Sequence, residues 1–131
     1  MGRPRSRDRP PGARDERATR PGRGRLRTHV VKRGEVWWYE AEAGRRPYLV
    51  LTRTEAVPVL NQVLAVPATR TVRGIPTEVP LDEGDGMPQS CVLTLDNISL
   101  IRPTRCSERI TVLSPARMAE VCEALHRATA C

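Results

Sequence analysis

Residues 44–53 read GRRPYLVLTR, and the apolar run inside them, PYLVL, decides how the chain is to be folded. A run this short, bounded by Gly, Pro and Arg and followed by no residues at helical spacing, reads as a buried β-strand. The same texture extends outward in both directions. GEVWWYEA (34–41) precedes it, and NQVLAVPA (61–68), TEVPL (77–81), CVLTLDN (91–97) and RITVL (109–113) follow at close spacing with Gly, Pro and Asp between them. Short runs without a helical period, separated by turn residues, predict a small antiparallel barrel or two-sheet fold. Pro67 and Pro80 fall inside or at the ends of runs, so those segments are expected to be edges, strand ends or bulges, because proline cannot donate to a ladder. The period changes only in SPARMAEVCEALHRAT. There Ser114 is placed as an N-cap with Pro115 at the first helical position, and Met118, Val121, Cys122 and Leu125 form one apolar stripe for packing on the β-structure.

The 131 residues suffice for one domain with a single modest core. Charge divides the chain. Residues 1–27 hold ten arginines and three acids, which is the whole of the formal charge of +7; residues 28–131 hold twelve basic and twelve acidic side chains and are neutral. A high isoelectric point therefore describes the amino-terminal segment, and an anion site in the remainder has to be local. Segment 1–29, rich in Arg, Pro and Gly and nearly devoid of apolar side chains, is expected to be a disordered extension, either a solvated tail or an arm that tethers RNA, with the folded domain over 30–131. The four cysteines include no CxxC and no histidine at ligand spacing, so neither zinc nor another metal or cofactor is expected. Cys91 and Cys122 read as small core residues. With no secretory h-region and no long apolar span, a cytoplasmic location with reduced thiols is expected.

Histidine chemistry is thin. His29 lies at the segment boundary and His126 near the end of the carboxy-terminal helix, and no Ser–His–Asp order, HExxH or Gly-rich phosphate loop occurs. What remains is a group of arginines and hydroxyls at strand ends: Arg45 and Arg46 before PYLVL, then Thr69, Arg70, Thr71 and Arg73 after QVLAV. Guanidinium groups stay charged and present forked donors matched to phosphate oxygens, and threonine adds a neutral donor. If the two strands are neighbours, one phosphate is gripped from both sides. The alternative is a set of ordinary strand-end charges facing water.

The blocks KRGEVWWYEAEAGRRPYLVLTR, VLAVPATRTVRGIPTEVPL, SCVLTLDNI and LSPARMAEVCEAL, in that order over residues 31–131, resemble the MazF/PemK family of mRNA interferase toxins, in particular members with a short first loop. The resemblance implies an SH3-like antiparallel β-barrel with a C-terminal α-helix, and a homodimer silenced by a cognate antitoxin. It also implies ribosome- and metal-independent cleavage of single-stranded RNA, mRNA with tRNA or rRNA as further substrates, to 2′,3′-cyclic phosphate and 5′-hydroxyl ends. The family's catalytic arginine and threonine map onto Arg46 and Thr69, its small hydroxyl before the fifth apolar run onto Ser90, and its polar pair after that run onto Asp96 and Asn97, all expected near RNA together with Arg45, Arg70, Thr71 and Arg73. The first loop is shorter than in many members and has Ala41 where a glutamate is common, with Glu40 and Glu42 beside it. Two other functions fit such a barrel: a gyrase poison like the CcdB toxins, or a non-catalytic binding module. Strand alternation sends Trp37 and Trp38 to opposite faces, so one is expected in the core or an interface and one exposed.

Overall fold

The computed structural model describes residues 30–131; the expectation of a disordered arm over 1–29 lies outside them. Seven strands and one α-helix occur among the described residues: β1 Glu35–Ala41, β2 Gly44–Val50, β3 Val63–Thr69, β4 Glu78–Leu81, β5 Cys91–Thr94, β6 Ser99–Ile101, β7 Cys106–Val112 and α1 Pro115–Thr129. All pairings are antiparallel, in the order β4-β5-β3-β2-β1-β7, with β6 paired to β3. The class is the implied one, antiparallel β with a carboxy-terminal helix, and the barrel is left open. Its two end strands, β4 and β7, share no ladder, and β7 is tied instead to the turn after β4 through a side chain, Thr111 Oγ1 donating to Asp85 O at 2.8 Å. No helix among the described residues is long and apolar enough to cross a membrane.

The curled sheet has apolar side chains on both faces. Val36, Leu49 and Val66 stand side by side across β1, β2 and β3, and on their face they join Val79, Leu81, Leu93 and Leu113 from both ends of the strand path. Trp37, Tyr39, Val50, Val63, Ala65 and Ile101 form a second cluster on the opposite face. Side chains fully buried in this way each contribute about 1.5–3 kcal/mol.

Helix α1 starts where the sequence places it: Ser114 Oγ accepts from the Arg117 N–H at 3.1 Å and Pro115 follows. Val121 and Ala124 are its buried residues, flanked by Met118, Leu125 and Ala128. Cys91 is buried as expected, but Cys122 is exposed, one position off the stripe, its Sγ facing Arg33 Nη2 at 3.3 Å.

Pro67 corrects another expectation, because β3 is a central strand. Leu51 N–H donates to Leu64 O, so in β3 the even-numbered residues direct their backbone groups to β2 and the odd-numbered ones to the other edge. On that other edge the neighbour changes from β6, opposite Val63 to Ala65, to β5, opposite Ala68 and Thr69. Pro67 sits at the changeover, where its missing N–H removes no ladder bond, and its carbonyl accepts from Thr94 Oγ1 at 3.4 Å. Pro80 lies on β4, an edge strand, as its position suggests.

Candidate active site

The β2–β3 ladder ends at Tyr48–Pro67. By the same alternation the next bond would run from the residue 47 N–H to Ala68 O, and Pro47 has no such hydrogen. Past that point lies a cleft of about 380 Å³ lined by Arg46, Pro47, Ala68 and Thr69 from the two strands, and by Trp38 of β1. Arg45, at the start of β2, and Arg70 and Thr71, just after β3, form its rim. The segment before β5 and that strand's first residue supply the far wall with Met87, Pro88, Gln89 and Cys91. The β2–β3 register, continued by two residues, sets Arg46 opposite Thr69. On its other side Arg46 pairs with Tyr39 of β1.

The polar groups differ in how far they are committed. Arg45 lies over the Trp38 ring, 4.7 Å from its centroid, and is held by Glu108 at 3.1 Å and Glu40 at 3.5 Å. Arg70 Nη1 donates to Gln89 Oε1 at 3.3 Å, bridging the cleft's two walls. The Arg46 guanidinium has no hydrogen bond or ion pair among the described residues and is exposed at the cleft. Thr69 Oγ1 accepts the Thr71 N–H at 3.2 Å, which leaves its own O–H free to donate. Cys91 is not a ready nucleophile: burial, and next the charge of Asp85, push its thiol above the usual range. Burial and the charge of Glu35 likewise push Cys106, away from the cleft, up to about 12. Among the described residues no three His, Cys, Asp or Glu side chains gather to hold a metal ion, and the charged side chains lining the cleft are Arg45, Arg46 and Arg70.

Of the residues expected near RNA, the cleft thus brings together Arg45, Arg46, Thr69, Arg70 and Thr71, and Ser90 stands exposed between two of its lining residues. Arg73, Asp96 and Asn97 do not line it. The Arg73 N–H donates to Glu78 at 3.1 Å, Asp96 accepts from Thr77 Oγ1 at 2.6 Å, and the Asn97 carbonyl accepts from Ser99 at 3.0 Å. Arg73 and Asp96 therefore sit beside the first residues of β4, at the opposite end of β5 from Cys91. Sequence reasoning missed Gln89 and Met87. The far wall is held in place by Asp85, whose carboxylate takes two bonds from Arg117 of α1, at 3.0 and 3.1 Å. Burial alone would raise that carboxyl, but the Arg117 guanidinium and the Asp82 backbone hold it below its ordinary 3.8.

Residues 32–129 match the family model described as PemK-like, MazF-like toxin of type II toxin-antitoxin system. The chain belongs to this toxin family. The Mycobacterium tuberculosis protein named "Probable endoribonuclease MazF5" is 41% identical over 106 residues, covering 79% of this chain and 97% of the relative. "Endoribonuclease MazF3" of the same organism is 37% identical over 83 residues, covering 63% and 81%. Among solved structures, the M. tuberculosis toxin MazF-mt6 superposes with a TM-score of 0.68 at 32% identity, covering 73% of this chain and 96% of that one. A mycobacterial endoribonuclease in complex with its cognate antitoxin gives 0.70 at 27% identity, covering 76% and 95%. The family match spans every element that lines the cleft.

Proposed function

We propose that the chain is the endoribonuclease toxin of a toxin–antitoxin pair, acting in the cytoplasm as a homodimer, and that it cuts single-stranded RNA at this cleft. Membership of the toxin family and relatives named as endoribonucleases support the activity. A related toxin solved with its cognate antitoxin supports a protein partner that silences it. The observation that carries the choice of site is the pairing of an uncommitted guanidinium, Arg46, with a hydroxyl free to donate, Thr69, across a break between two strands.

Such a pair suits a reaction whose nucleophile is in the substrate. The RNA 2′-hydroxyl attacks the adjacent phosphorus and the 5′-oxygen of the next nucleotide departs, leaving a 2′,3′-cyclic phosphate and a 5′-hydroxyl. Negative charge grows on the non-bridging oxygens as the phosphorane forms. Arg46 neutralises it and steadies the leaving oxygen, and Thr69 donates to one non-bridging oxygen. The protein then contributes orientation and preorganised charge. Ser90 lies at the cleft's border, and Arg73, Asp96 and Asn97 would meet RNA only along its path outside the cleft.

Incubation with mixed-sequence RNA in EDTA, followed by mapping of the ends, tests this reading. The parent should yield cyclic-phosphate ends and leave all-deoxy and 2′-O-methylated substrates intact, because these lack the internal nucleophile. Arg46→Ala should lose on the order of 10² or more in rate, as when a preorganised donor is removed from an oxyanion site. Arg46→Lys should recover only part, since an ammonium lacks the fork. Parental cleavage by Arg46→Ala, or cutting of the methylated substrate, overturns it.

A further inference from the structure

The cleft offers more than a phosphate requires. Its apolar lining comes from Pro47, Ala68, Met87 and Cys91, its aromatic lining is Trp38, and Gln89 stands on the far wall. A nucleobase is apolar on both faces and polar around its edge, which is the shape such a pocket complements. The volume of about 380 Å³ falls within the roughly 300–1,000 Å³ usual for small-ligand sites.

Two side chains give the pocket its selectivity. Trp38 is half-buried and one face of its indole is covered by Arg45, itself fastened by Glu40 and Glu108, so the ring is held in place and a base has to stack on the part that Arg45 leaves to the cleft. Gln89 is oriented by Arg70. A guanidinium only donates, so the Gln89 atom facing it at 3.3 Å is the carbonyl oxygen, and the two amide hydrogens remain to be used. Placed against the pyrimidine C4 or purine C6 substituent, a group that can only donate favours uracil O4 and guanine O6 over the amines of cytosine and adenine. Among the described residues no carboxylate lines the cleft, which favours an acceptor-rich occupant.

We infer that this cleft is a base pocket: one nucleobase beside the cut bond stacks on Trp38 and is chosen for its carbonyl edge by Gln89. This rests on reading the cleft as the RNA site. An acidic or aromatic side chain of a protein partner is the rival occupant.

The test uses the full chain and a random-sequence RNA pool, with cut ends sequenced for the parent and for Gln89→Glu. At one position flanking the cut the parent should favour U and G over C and A by roughly tenfold, the scale of one well-placed base contact. Gln89→Glu, which can only accept, should erase or reverse that preference. The ratio is taken within one digestion, so a loss of folded protein cannot mimic it. In parallel, a mixed-sequence 2′-O-methyl RNA should quench tryptophan fluorescence in the parent and not in Trp38→Phe, where Trp37 remains. An unchanged base preference, a quench that survives in Trp38→Phe, or a quench produced only by an acidic peptide overturns the inference. A parent that cuts no RNA instead defeats the proposed function, and the quench by uncleavable RNA then decides the pocket alone.

Discussion

Gly86 adopts φ +93°, and a β-carbon built on it would lie 2.3 Å from Thr111 Oγ1, the hydroxyl that bonds the neighbouring Asp85 carbonyl. Both the left-handed backbone and the close approach demand glycine. Gly86→Ala is expected to cost about 2–4 kcal/mol, the sum of strain at positive φ and displacement of Thr111, and to lower the Tm by about 8 °C or more in a thermal melt. At this scale the sequence shows what it can express locally. Arg46 and Thr69 stand out because each adjoins an apolar run, and alternation alone separates Trp37, buried at 8% exposure, from Trp38 in the cleft. Gln89 carries no such mark. It is an amide in a non-repeating loop, and only the folded chain brings it within reach of Arg70, nineteen positions earlier.

Among the elements, α1 is legible to its cap because helix starts are written in adjacent residues, Ser114 and Pro115. Strand β6 is not, since its three residues, Ser99–Ile101, are defined by pairing with β3 and by no pattern of their own. Pro67 shows the same limit from the other side: a proline excludes a ladder bond, but whether that bond is needed depends on which strands lie alongside. The Asp85–Arg117 pair joins α1 to the cleft's far wall, and its pH dependence has a definite sign. Asp85's folded pKa lies below its ordinary 3.8, so its contribution is full above that value and is lost as the pH falls through the folded pKa. Asp85→Asn should cost about 1–3 kcal/mol at neutral pH, because a half-buried guanidinium loses its charged acceptor. The gap between the two proteins in urea melts should close as the pH drops below 3.8.

For the molecule as a whole, the balance of charge is the plainest sequence signal, since the described domain is neutral and all the excess lies in residues 1–27. Removing those residues is expected to weaken binding to 2′-O-methyl RNA at low salt and to flatten its salt dependence over about 50–200 mM, measured by anisotropy, because the phosphate-neutralising cations go with them. The positions of the cuts should not move, for they are set in the cleft. The β-class was readable from runs and turns, whereas the strand order and the opening between β4 and β7 were not, because they turn on partners far apart in the chain, such as Thr111 and a carbonyl twenty-six positions away. Pro47 has a quieter effect. Because it lacks the hydrogen for one of the two bonds by which β2 and β3 would zip onward, the ladder is already thinned there in the ground state. An incoming strand of RNA therefore meets at most one amide bond at that step, where an unbroken ladder would present two.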